Sequence, residues 1–154
     1  ATNPPQPAFL ALGAFPLSHA RRTSLIRVDS APPNANRIAY HFDDHPLVER
    51  VLYPGLPSHP GHAIQAAQTG RLFGGMMSII VKGSEKTAID VARFCNVFYP
   101  ATSLGGVESL IEHRATVSGD GFPVDPCLLR LSIGIEDAGD LIDDLEQALE
   151  RANT

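Results

Sequence analysis

Cysteine is scarce: Cys95 and Cys127 are the only two in 154 residues. Two thiols so far apart, each in apolar surroundings, exclude a disulfide framework and read as reduced structural side chains. Long apolar runs are missing too. None reaches the roughly eighteen residues that a membrane span requires, and the opening ATNPPQPAFLALGAF carries no basic segment of the kind that leads a secretory signal. The chain therefore reads as soluble and cytoplasmic, with no membrane partner. Basic clusters are absent as well: ten arginines and two lysines are scattered, and the net charge is -5, which excludes a nucleic-acid surface.

Signatures that carry chemistry are few. Gly74-Gly75 and Gly105-Gly106 lack both G-x-G-x-x-G and the Lys-Ser/Thr ending that makes a phosphate loop. No G-x-S-x-G elbow supports a hydrolase. His59 and His62 stand three apart, but Pro60 lies between them and neither an HExxH arrangement nor a nearby third ligand completes a metal site. They read as surface histidines at the start of a helix. Lys82 and Lys86, the only lysines, fall at a polar strand-to-helix turn, where a solvated ammonium is expected rather than a desolvated Schiff-base amine.

What is present is a globular composition, 44% hydrophobic and 19% charged, in a chain long enough for one domain with its own core. Its plan is clearest in LLRLSIGIEDAGDLIDDLEQALERA at 128–152. From Leu128 to Ile135 the residues alternate, with Leu129, Leu131, Ile133 and Ile135 on one side and Arg130 among those on the other. Asp137 offers an N-cap, and Leu141, Ile142, Leu145, Ala148 and Leu149 repeat at the spacing of one helical face. An arginine in the middle of so apolar a strand keeps its charge. It must reach water, pair with a carboxylate, or serve as a planar fork for an anionic ligand.

Along the chain, the first twenty residues hold four prolines and little periodicity. Pro32-Pro33 is expected to interrupt any helix, with Asn34 capping a new one over Ile38, Ala39 and Phe42 until His45-Pro46. A short strand over 47–52 precedes a Pro/Gly-rich loop at 53–62, then a helix from near His59 that Gly70 stops. FGGMMSIIV at 73–81 reads as a strand whose glycines mark close approach of another backbone or a bulge. Ser84 and Thr87 open a helix to about Phe94. Residues 97–99 and 108–112 read as extended, and 116–125 as a loop. The order predicts an α+β layer, an open and mostly antiparallel sheet covered by helices on one face. A doubly wound parallel sheet would require longer apolar strands.

Four stretches, VLYPGLPSHPGH at 51–62, FGGMMSIIVKG at 73–83, ATSLGGVESLIEHRA at 101–115 and LLRLSIGIEDAGDLIDDLEQAL at 128–149, closely resemble the C-terminal part of the Cys/Met-metabolism PLP-dependent enzymes. This trans-sulfuration group includes cystathionine γ-synthase, cystathionine γ-lyase, cystathionine β-lyase and methionine γ-lyase. The stretches stand in the family's order with similar gaps, and LIRVDSAPPNANRIAYHF at 25–42 fits more loosely.

The resemblance implies the small C-terminal domain of a fold-type I PLP enzyme over 21–154, with 1–20 a loose arm or a remnant of the linker to a missing large domain. It implies that Arg130 is the arginine that grips the substrate α-carboxylate. Ser103 and Leu104 then lie beside the cofactor lysine and substrate, and Thr102 falls where members vary and tune substrate choice. Ser118 falls where the family has a small hydroxyl residue near the site, in a loop that departs from the commoner pattern after Ala115. The family's S-x-T-K-like motif with its Schiff-base lysine does not occur here, so no catalytic, cofactor-binding or metal residue is assigned. Pyridoxal 5'-phosphate is implied for the full-length family, with none expected to be bound covalently by this chain alone.

Two functions are then open. One is the substrate-binding portion of a C–S lyase or γ-synthase acting on cystathionine, homocysteine or activated homoserine, partnered by the missing large domain in a homotetramer and not catalytic alone. The other is a non-catalytic, truncated remnant that binds a partner or an amino-acid carboxylate. LALGAF at 10–15 resembles the segment after the family's large domain with fewer residues than usual before Ala20-Arg21, which implies a linking helix shortened or broken.

Overall fold

The computed structural model describes residues 7–70, 72–102, 105–118 and 123–154, with side chains from Thr23 onward. Strands β1 (Val48–Leu52), β2 (Met76–Val81), β3 (Tyr99–Pro100), β4 (Leu110–His113) and β5 (Leu128–Ser132) form one sheet in the order β1-β2-β5-β4-β3. Among the described residues only the β3–β4 pairing is parallel; β1–β2, β2–β5 and β4–β5 are antiparallel. The expected α+β class and mostly antiparallel sheet are what is observed.

Strand alternation decides the faces. Met77, Ile79 and Val81 of β2, Ile111 of β4, and Leu129 and Leu131 of β5 enter a single apolar cluster. A bulge between Val48 and Arg50 lets Val48 and Val51 of β1 join it together. The helices fill the other side of that cluster: α1 (Pro7–Phe42) with Ala35, Ile38, Ala39 and Phe42, α3 (Glu85–Phe94) with Ala88, Val91 and Ala92, and α5 (Ala138–Ala152) with Leu141, Ile142, Leu145, Ala148 and Leu149. Helices α2 (His62–Thr69) and α4 (Arg114–Ser118) bury no residue fully.

Local signals place most of these ends. Ser84 and Thr87 make a reciprocal capping box for α3, and Gly70, in the left-handed region at φ 61°, closes α2. The Asp137 side chain caps α5 through the Gly139 amide. Gly75 marks the close approach expected of it: a Cβ there would come within 2.9 Å of Ala31 Cβ and 3.1 Å of the Ile133 carbonyl oxygen.

Several expectations are corrected. Helix α1 runs through Pro32-Pro33 instead of restarting at Asn34, and its 36 residues are unbroken. The two prolines leave the carbonyls of Val28 and Asp29 without intrahelical donors, but both residues are exposed and water can serve them, while burial of Ala31, Ala35, Ile38, Ala39 and Phe42 holds the helix. Asn34 caps nothing and donates instead to the carbonyls of Gly134 and Glu136 at 3.3 and 2.8 Å. Helix α2 begins at His62, because His59, Pro60 and Gly61 are occupied in a turn in which the Gly61 amide donates to His59 Nδ1. Finally, residues 116–118, expected to open the 116–125 loop, are the helical end of α4, and β5 stops at Ser132, leaving Ile135 exposed. Cys95 and Cys127 are both free thiols.

Candidate carboxylate-binding site

Pairing across the sheet sets Leu52, Ser78, Arg130 and Glu112 in one transverse row over β1, β2, β5 and β4. This row lies on the face away from the helices, since its members alternate with the buried Val51, Ile79, Leu129 and Ile111. Arg130 is not turned out into solvent; its side chain is 21% exposed, and Nη1 donates to Glu112 Oε2 at 3.4 Å. The other oxygen of Glu112 accepts from Arg114 Nη1 at 2.7 Å. The Thr102 hydroxyl lies near enough to this carboxylate to favour its charged form. Burial works to raise the Glu112 pKa, but the Thr102 hydroxyl, the Arg114 hydrogen bond and the charges of both arginines outweigh it and hold the carboxyl below its ordinary value.

One residue pair along β5, on the same side as Arg130, sits Ser132. Its Oγ accepts the Gly105 amide at 3.1 Å, which brings Gly105 to the arginine's strand. Thr102 and Glu112 further line a cavity of about 250 Å³ with Ile89, Ala92 and Val117. The structure thus brings together Arg130 and Thr102 through Glu112. Ser103 and Leu104 lie outside the described residues. Ser118 ends α4 with its Oγ buried and without a hydrogen-bond partner among the described residues, and no hydrogen bond joins it to Arg130.

Reading the sequence alone missed Glu112 and Arg114 as parts of this site. An acid and a base two apart in LIEHR are ordinary on a strand end; only the β4–β5 register, which sets Glu112 opposite Arg130, gives them meaning. His59 and His62 do not converge on a metal: His62 Nδ1 contacts the Pro54 carbonyl at 2.7 Å, and its ring stacks on Phe73. Among the described residues no group of three His, Cys, Asp or Glu side chains has metal-binding geometry.

The family signature described as Cys/Met metabolism PLP-dependent enzyme matches residues 8–150. The chain belongs to this family. It is 49% identical over 133 residues to the cystathionine γ-synthase of Mycobacterium tuberculosis strain H37Rv, a match covering 83% of this chain and 34% of that protein. It is 42% identical over 144 residues to the cystathionine β-lyase of Coxiella burnetii, covering 88% of this chain and 37% of that one. The solved cystathionine γ-synthase of Xanthomonas oryzae pv. oryzae in complex with cystathionine superposes with a TM-score of 0.79 at 41% identity, over 86% of this chain and 36% of that structure. The chain spans about a third of the length of the relatives it matches.

Pyridoxal phosphate is the cofactor of this family, and the lysines present here do not fit a resident covalent one. Lys82 is exposed and donates to the Pro46 carbonyl at 2.8 Å, beyond the end of β2 and four residues from Ser78 of the Arg130 row. Lys86 is exposed and paired with Asp90 on α3. The polar contacts of the two ammonium groups are with Pro46 and Asp90, not with Arg130 or Glu112. Among the described residues, no helix is long and apolar enough to cross a membrane.

Proposed function

We propose that this chain is the C-terminal substrate-binding portion of a trans-sulfuration PLP-dependent enzyme, a C–S lyase or γ-synthase, in which Arg130 grips the α-carboxylate of cystathionine, homocysteine or an activated homoserine. The observation that carries this reading is a half-buried guanidinium in the middle of a four-strand row, held against the Glu112 carboxylate. A carboxylate already accepted there marks the place and charge that a substrate carboxylate requires, and the planar fork of arginine suits it. Ser103 and Leu104 flank the substrate, Thr102 tunes its choice and Ser118 lies nearby. A large domain supplies the cofactor lysine, and the assembled enzyme is a cytoplasmic homotetramer.

The positions of Lys82 and Lys86 favour a second reading for the chain by itself, a non-catalytic domain that binds an amino-acid carboxylate or a partner. Calorimetric titration of the chain with L-cystathionine tests the shared claim. Arg130→Ala is expected to weaken binding at least about tenfold, near 1.4 kcal/mol, and Arg130→Lys to restore part of it by returning the charge without the fork. Equal binding by the wild type and Arg130→Ala, or no saturable binding by either, overturns it.

A further inference from the structure

Around residue 27 the pattern of α1 is inverted. Leu25, Ile26 and Val28 are exposed, while Arg27, the charged residue among them, is half-buried. Such reversals of the ordinary apolar-in, charged-out order mark places where a side chain serves something other than stability. Arg27 Nη1 reaches across 78 residues of sequence to donate to the Gly105 carbonyl oxygen at 2.5 Å. Gly105 is thereby held from both sides, because its amide donates to Ser132 Oγ. It takes a φ of 94°, in the left-handed region, with no atom within 4 Å of where a Cβ would stand. The glycine is required by the backbone conformation and not by crowding, so the peptide there is shaped by its two hydrogen bonds.

We propose that Arg27 is a positioning residue: by fixing Gly105 against Ser132, it holds the Gly105 peptide on the strand of Arg130 and so couples helix α1 to the carboxylate grip. The inference rests on the reading of Arg130 given above. The tether has two ends on the site. Thr102 lines the same cavity as Glu112, which holds Arg130, and Gly105 is bound to Ser132, two residues from Arg130 on the same face. A guanidinium-to-carbonyl bond is charge-assisted and stronger than the neutral Ser132 contact it accompanies. Losing it frees the Gly105 peptide, while alanine, a good helix former, leaves α1 intact.

The test compares Arg27→Ala and Arg27→Lys with the wild-type chain in two measurements: amide hydrogen exchange of Gly105 by NMR, with Leu129 and Leu131 of β5 as folding controls, and calorimetric affinity for L-cystathionine. Arg27→Ala is expected to speed Gly105 exchange and to weaken affinity, each by about tenfold, with the β5 amides unchanged. Arg27→Lys is expected to recover part of both. Unchanged exchange at Gly105 overturns the proposal, and so does faster exchange with unchanged affinity. Absence of binding by the wild-type chain sinks the proposed function instead, and the Gly105 exchange rate then decides the tether by itself.

Discussion

Glu112 lies directly across from Arg130 in the β4–β5 pairing and shares its carboxylate between that residue and Arg114. The two contacts are unequal, 2.7 Å to Arg114 and 3.4 Å to Arg130. On the proposed reading, a substrate carboxylate would meet the Arg130 guanidinium while Arg114 keeps Glu112 charged and in place.

This arrangement makes part of the stability depend on acid. Glu112 has a folded-state pKa below its unfolded value of 4.5, so between the two the unfolded chain binds more protons, and stability falls as the pH drops through that window. Denaturant midpoints measured from neutral pH downward should show this decline. In Glu112→Gln the slope should flatten, and stability at neutral pH should fall by about 1–3 kcal/mol, because two guanidiniums then face a neutral amide.

A second buried carboxylate has a structural duty. Asp144 interrupts the apolar stripe of α5 and accepts the backbone amides of Asn96, Val97 and Phe98 at 2.7, 2.8 and 3.0 Å. These are the residues that lead into β3, which pairs in parallel with β4. Asp144→Ala should orphan three donors and cost about 3 kcal/mol or more in chemical denaturation. Asp144→Asn, which keeps one acceptor, should cost less.

How much of this was legible in the sequence depended on distance along the chain. The α5 stripe, the Ser84 capping box and the alternation of β5 are local patterns, and the structure repeats them. Pro32-Pro33 misled because propensity speaks only for the backbone, whereas Ala35, Ile38 and Phe42 bury their side chains in the core and outweigh it. Arg130 stood out as a charge among leucines, but its partner is 18 residues away and is fixed by strand register. The Arg27–Gly105 contact, 78 residues apart, left no local trace beyond an arginine flanked by apolar residues. Asp144 had a signal that went unread: it falls between Leu141 and Leu145 on the buried face, where an acid needs partners.

The same logic gives a prediction at high pH. Tyr53 is fully buried, and its hydroxyl donates to the Gly74 carbonyl at 2.9 Å, tying the end of β1 to the approach to β2. Burial pushes its pKa up to about 12 from an ordinary 10. Between those values the folded chain keeps a proton that the unfolded chain has lost, so stability should decline as the pH rises from 10 toward 12. Tyrosinate absorbance should show one of the three tyrosines titrating late, and only on unfolding if the ring cannot ionise in place. Tyr53→Phe should remove that late step. It should also lower stability at neutral pH by about 1–2 kcal/mol, since the Gly74 carbonyl is left without its donor.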